Sequence, residues 1–283
     1  MKEIYILSDY NDVFESKHFA IPLASGMDKV LLEKYFKELD YQTKFMTFSQ
    51  IDFRSMNLKN KYVLYTSSED IGYFYKDYIE DIILGLHLHG ARVIPDYKYL
   101  RANNNKVFME ILRDISKKEE LNTIRTHHFG TLDDLQQNYK EDGEKKVFKL
   151  AQGARSRGVF LGKSKKDLIS IVKKNNRTRD LYYEFKEFYR TIKYKGYKAN
   201  SKYRKKFIVQ DFVENLDNDW KVIIFKDKYY TLFRKNRPND FRASGSGIFS
   251  FDEELPEGLL DFSKVVYDFF NVPILSLDIG YNG

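Results

Sequence analysis

The chain has 283 residues, 42% of them hydrophobic and 16% aromatic, a length and apolar share that support about two domains with real cores. It contains no cysteine, which excludes disulfides, thiolate metal sites and cysteine nucleophiles and suits a cytoplasmic protein. Its net charge of +7 is gathered in one place: residues 173–206 hold 13 Lys/Arg against 3 Asp/Glu, a surplus of ten, so the remainder is net acidic.

The first residues, MKEIYILSDYND, reach Asp9 and Asp12 too soon for a signal peptide, and no apolar run approaches the ~20 residues of a membrane helix, so no membrane partner is expected. Residues 4–7 are a continuous apolar run, the pattern of a strand buried on both faces. The stretch from Ser25 to Asp28 resembles a capping box and opens a helix whose Met27, Val30, Leu31, Tyr35 and Leu39 share one face. Strands are predicted at 44–48 and 62–66, then a helix near 74–88 stopped by Gly90, then a strand at 91–94 ended by Pro95. This alternation predicts a parallel sheet with helices on its faces, an α/β domain over 1–102. His87 and His89 stand two apart on the helix and point to different faces, so they read as surface histidines rather than metal ligands, and the adjacent His127 and His128 are no stronger.

Asn103 is expected to cap a helix through Ile115 that carries Lys106 in its first turn, followed by a strand at 123–126 and a helix over 131–139. Residues 147–150 and 158–161 read as two strands around a loop that holds Gly153, Gly158 and two arginines. Lys149 falls within an apolar strand, so its ammonium must either find an anion or reach solvent. The loop beside it offers backbone N–H groups and cations of the kind that cradle phosphate. Ser164 starts a helix with Leu168, Ile169 and Val172 on one side. The basic stretch is then helical through about Tyr194, its Tyr182, Tyr183, Tyr189, Tyr194, Tyr197 and Tyr203 set either as stacking platforms for a polyanion or as part of a solvated lysine-rich helix. A strand follows at 207–213, and a hairpin at 220–225 and 229–233, ended by Arg234. Beyond it come a turn at 237–240, a glycine-rich loop at 241–247, a helix over 255–270 with Pro256 near its start, and a strand at 274–279.

Four stretches, VFKLAQGARSRGV, FIVQDFVENLDNDWKV, LFRKNRPNDFRASGSG and PILSLDIG, stand in an order across 103–283 that resembles the ATP-grasp superfamily of carboxylate–amine ligases, nearest the branch of glutathione synthetase and the ribosomal-protein glutamate ligases. The resemblance implies an N-terminal α/β domain followed by two α+β lobes, 103–209 and 210–283, with ATP and Mg²⁺ as cofactors. It implies that Lys149 and Lys106 contact the ATP phosphates and that the loop with Gly153, Arg155, Ser156 and Gly158 closes over them. Gln210, Asp211, Phe212 and Val213 would form the hinge that reads adenine, and Glu214 or Asp217 would hold the ribose. Arg234 and Arg242 would clamp the transferred phosphoryl group, and Asp278 would be the first carboxylate of a magnesium site. The implied activity is ATP-dependent amide formation between a small carboxylate and an amine through an acyl phosphate, with an acidic peptide or glycan as a further acceptor for the basic segment. The alternative, of another class, is a nucleic-acid or polyanion binder without turnover. Two departures stand out: Asp219-Trp220-Lys221 where relatives often show Asp-x-Arg, and Ser244 where some have asparagine.

The strand at 274–279 runs into Asn282-Gly283, a strong hairpin-turn signal with no second arm after it. In the resembled family that arm completes the magnesium site with a glutamate and an asparagine. The expectation is therefore an incomplete version of a longer protein, with an unpaired strand at Asp278, a partial metal site, weak nucleotide binding and little turnover.

Overall fold

The computed structural model describes residues 2–14, 26–68, 70, 72–153, 156, 158–178, 180–238, 240–242 and 246–281. The chain divides into two compact units, Met1–Asn103 and Asn104–Gly283.

The first unit runs β1 (Lys2–Ser8), α1 (Lys29–Glu38), β2 (Tyr41–Thr47), β3 (Tyr62–Tyr65), α2 (Phe74–Leu88), β4 (Arg92–Ile94) and α3 (Tyr97–Ala102). Its strands lie in the order β2-β1-β3-β4, every pair parallel, so the apolar run of β1 sits inside the sheet as its sequence requires. Leu7, Phe48, Val63, Ile79, Ile83 and Leu86 form the core between sheet and α2. Gly90, at φ 85°, makes the left-handed turn that ends α2 and donates its N–H to His87 O at 3.0 Å.

Helix α1 departs from expectation twice. Asp28 caps it, its carboxylate accepting from the N–H groups of Val30 and Leu31, while Ser25 lies outside the described residues. Its apolar stripe is not core: no residue of α1 is buried, and Val30 is 75% exposed. Periodicity identifies which side of a helix is apolar, and no described element lies over this one.

The second unit runs α4 (Lys106–Ser116), β5 (Thr126–Phe129), α5 (Leu132–Asn138), β6 (Lys146–Leu150), β7 (Val159–Gly162), α6 (Lys165–Asn175), α7 (Leu181–Lys193), β8 (Phe207–Asp211), β9 (Asn218–Phe225), β10 (Lys228–Lys235), β11 (Phe249–Ser250), α8 (Leu259–Phe270) and β12 (Ile274–Ile279). Two antiparallel sheets result, β5-β8-β6-β7 and β11-β10-β9-β12. The first packs Phe148, Phe207 and Val209 against Leu135 of α5 and Leu168 and Val172 of α6. The second packs Trp220, Val222 and Ile224 against Leu259 of α8. A parallel α/β unit followed by two α+β lobes is the architecture the sequence predicts.

Several boundaries differ. Asn105, not Asn103, caps α4, because its side-chain oxygen reaches Phe108 N–H at 3.3 Å; Asn103 instead ends α3. The strand expected at 123–126 begins at Thr126, where pairing with β8 starts. Helix α8 begins at Leu259 after Gly258 at φ 79°, leaving Pro256 outside it. The β9–β10 hairpin extends one residue past Arg234, to Lys235. Strand β12 pairs with β9, and among the described residues no strand lies on its other side; Asn282 and Gly283 fall outside them.

Candidate functional site

Two lysines define the first lobe's contribution. Lys149 projects from β6 and its ammonium donates to the Gln210 side-chain oxygen on β8 at 2.6 Å; Gln210 in turn donates to Thr126 Oγ1 on β5 at 3.1 Å. Lys106, the first residue of α4, donates to Gly153 O at 2.9 Å. Among the described residues neither lysine has a carboxylate partner. Burial lowers the Lys106 pKa. Burial also lowers that of Lys149; Glu110 opposes the shift, and nearby Lys106 and Arg113 add to it. Glu110 is itself committed to Arg113, through both oxygens at 3.1 and 2.9 Å. Two desolvated ammonium groups answered only by an amide and a carbonyl form a positive site that an anion would relieve.

Both lysines border the loop between β6 and β7. Lys106 holds its start at Gly153, which has φ 118°. At its end Gly158, with φ 79°, leaves a Cβ no room: that atom would stand 2.8 Å from Leu150 Cδ1. Ser156 is also left-handed, at φ 58°, and Arg155 lies outside the described residues. Arg242 meets the loop from the second lobe, donating through Nη1 to Ser156 O at 3.4 Å and Val159 O at 3.3 Å. The rest of its guanidinium is held by Asp240, from Nε at 2.8 Å and Nη2 at 2.6 Å. The arginine expected to clamp a phosphoryl group thus stands at the loop with its charge already answered.

The expected hinge is partly occupied. Gln210 points to Lys149, and Asp211 and Asp142 enclose the buried Lys146 ammonium at 2.7 and 2.6 Å. The N–H groups of Asp211 and Phe212 are donated to Arg125 O and Lys145 O. The Phe212 ring lies edge-on to Phe241 at 5.9 Å and under the Lys145 ammonium at 5.5 Å, with half-buried Val213 next in the chain. Glu214 accepts from Lys145 at 2.8 Å, and the exposed Asp217 accepts from the Asn218 amide at 2.6 Å.

In the second lobe three adjacent strands bring four charges together. Arg234 on β10 forms a two-pronged pair with Asp219 directly across on β9, at 2.6 and 2.9 Å, and reaches past β9 to Asp278 on β12 at 2.8 Å. Lys221, opposite Asp278 in register, lies 3.4 Å from the same oxygen. Burial raises the Asp219 pKa in spite of Arg234. Burial works against the Arg234 cation too, but Asp219 and Asp278 outweigh it and raise its pKa. Asp219's pairing escaped the sequence reading. The signal was present: a two-residue turn at Lys226-Asp227 sets a register that puts Asp219 opposite Arg234.

These donors do not by themselves fit a magnesium ion. Asp219 is bound by Arg234, Asp278 is shared by Arg234 and Lys221, and the four charges cancel. Among the described residues no cluster of three or more His, Asp or Glu is placed to hold a metal.

No family model and no curated protein matches the sequence. Solved structures do. D-cycloserine synthetase aligns with 98% of this chain and 86% of its own at a TM-score of 0.51 and 10% identity. A RimK domain ATP-grasp protein from Sphaerobacter thermophilus DSM 20745 aligns with 99% of this chain and 86% of its own at 0.48 and 10% identity. A macrocyclase from Microcystis aeruginosa MRC aligns with 100% and 88% at 0.47 and 11% identity. The chain has the ATP-grasp fold. At these identities the likeness is one of fold alone.

Proposed function

We propose that this protein is an ATP-dependent carboxylate–amine ligase. The observation that carries the reading is the pair of desolvated ammonium groups, Lys106 and Lys149, facing a glycine-bearing loop without a carboxylate partner among the described residues. In this reading the two lysines bind phosphate oxygens of ATP, and the loop from Gly153 to Gly158 adds backbone N–H groups. Adenine is read beside Phe212 by the hinge's remaining backbone groups at Val213 and Glu214, and Glu214 or Asp217 holds the ribose. A substrate carboxylate oxygen attacks the γ-phosphorus, the bond to ADP breaks, and an acyl phosphate forms. An amine nitrogen then attacks the acyl carbon, phosphate leaves with the electron pair, and the amine's proton passes to solvent. Arg242 and Arg234 exchange Asp240 and Asp219 for the phosphoryl oxygens as charge spreads over them. The test supplies ATP with a panel of carboxylates and amines and measures ADP. Release that requires both an acid and an amine supports the reading, and a protein that binds no ATP overturns it.

A second reading, a polyanion binder without turnover, is favoured by one observation: both arginines are tied to internal carboxylates. It predicts strongly salt-dependent nucleic-acid affinity and no ADP release with any substrate pair.

A further inference from the structure

Helix α7 is amphipathic with its faces reversed. The side turned toward the lobe is polar. Glu187, 3% exposed, accepts from the Tyr197 hydroxyl at 2.6 Å, from Arg190 at 2.9 Å and from Asn200 N–H at 2.8 Å. Glu184 accepts from Arg177 at 2.7 Å. The side turned outward is apolar: Leu181, Phe185, Phe188 and Ile192 are 79%, 68%, 63% and 70% exposed. Their spacing of four, three and four residues makes one stripe along the helix. Tyr182 and Tyr189 widen it, and the ammonium groups of Lys186 and Lys193 lie over those rings at 4.4 and 5.5 Å. The acidic residues of α7 are thus consumed inward, and what meets solvent is an apolar ridge edged by lysines.

A second feature adjoins it. A cavity of about 560 Å³ is lined by Lys173, Lys174, Asn175, Arg177 and Lys205. Arg177, through Glu184, ties this recess to the first turn of α7. Among the described residues Lys173, Lys174 and Lys205 have no carboxylate partner. Four of the thirteen cations in residues 173–206 thus line one recess, and Arg177 joins it to the helix that carries the apolar ridge.

We propose that this face lies on an anionic lipid surface, with α7 in the plane of the interface and the recess over the headgroup phosphates. A nucleic acid or an acidic peptide in the recess would leave the apolar ridge in water. A second copy would bring the same surplus of positive charge against itself. An anionic bilayer answers both features at once: phosphates meet the lysines, and the ridge enters the boundary beneath them while Lys186 and Lys193 reach back to the headgroups. No helix among the described residues is long and apolar enough to cross a membrane, which bears on spanning and not on lying at an interface.

The test is flotation of the full chain with vesicles of phosphatidylcholine alone and of phosphatidylcholine mixed with phosphatidylglycerol, without nucleotide, so that its result is independent of ligase activity. Two variants are compared, F185S/F188S and K173Q/K174Q/K205Q, all at exposed or cavity-lining positions, with circular dichroism confirming the fold. The expected result is at least tenfold greater partition onto the mixed vesicles, reduced at least tenfold by either variant and weakened by salt. Failure of the wild type to float with the mixed vesicles overturns the proposal, as does full binding by F185S/F188S. So does a dimer in solution that F185S/F188S splits, or a polyglutamate peptide bound through the lysines while vesicles are ignored.

Discussion

Lys149 shows how far a single residue can be read from its surroundings in sequence. An ammonium in an apolar strand demands a partner, and that much is legible. The structure supplies a neutral one, the Gln210 amide, from a strand some sixty residues away that local pattern does not identify. The consequence is a charge held below its ordinary pKa of 10.5 and awaiting an anion. Lys149→Ala is expected to weaken ATP binding at least tenfold, about 1.4 kcal/mol, with the fold intact; unchanged affinity by calorimetry would remove Lys149 from the site. The sign with pH follows. Between the free protein's lowered pKa and the higher one restored by bound phosphate, binding takes up a proton and affinity falls as pH rises. Titrations in buffers of different ionisation enthalpy measure that uptake.

Among the elements, those set by strong local chemistry are legible and those set by competition are not. Helix α2 and strand β12 stand where their patterns place them, because a C′ glycine and an apolar run leave few alternatives. Helix α4 has three consecutive asparagines before it, and only the reach of Asn105 to Phe108 decides which one caps. The exposed stripe of α1 and the reversed α7 have a common cause: periodicity shows two faces and does not say which meets the core. The β9–β10 pair Asp219–Arg234 supports a prediction at this scale. Arg234→Met leaves Asp219 desolvated without its counter-ion and is expected to cost about 3 kcal/mol at neutral pH. Asp219 then titrates further above its unfolded value of 3.8, so the deficit present at neutral pH shrinks as acid protonates it. Urea unfolding at pH 7 and near pH 4 reads this, and an equal deficit at both would count against the pairing.

For the whole molecule, the alternation of strands and helices in the first hundred residues and the order of four motifs in the remainder were enough to give the architecture. Its pH dependence was not legible, since it rests on register. Glu3 on β1 faces Lys44 on β2 and Lys61 before β3, and hydrogen bonds from both hold its carboxyl at about 2, below the ordinary 4.5. A depressed carboxylate contributes stability that is complete above pH 4.5 and is lost as pH falls toward 2. Glu3→Gln is therefore expected to flatten stability across that window. A variant whose acid unfolding follows the wild type would show the contacts to be energetically silent.

The four-charge cluster of the second lobe also has an order of assembly. Asp219 and Arg234 face each other within a hairpin closed by a two-residue turn, a contact that forms in microseconds with little chain to organise. Asp278 arrives on β12 only after more than forty further residues and helix α8, so its pairing carries a much larger closure entropy. The hairpin is therefore expected to form first and the carboxylate to join it later. Amide exchange is expected to be faster along β12 than along β9, with the lobe's charge cluster opening and closing at that strand while the hairpin beneath it stays folded.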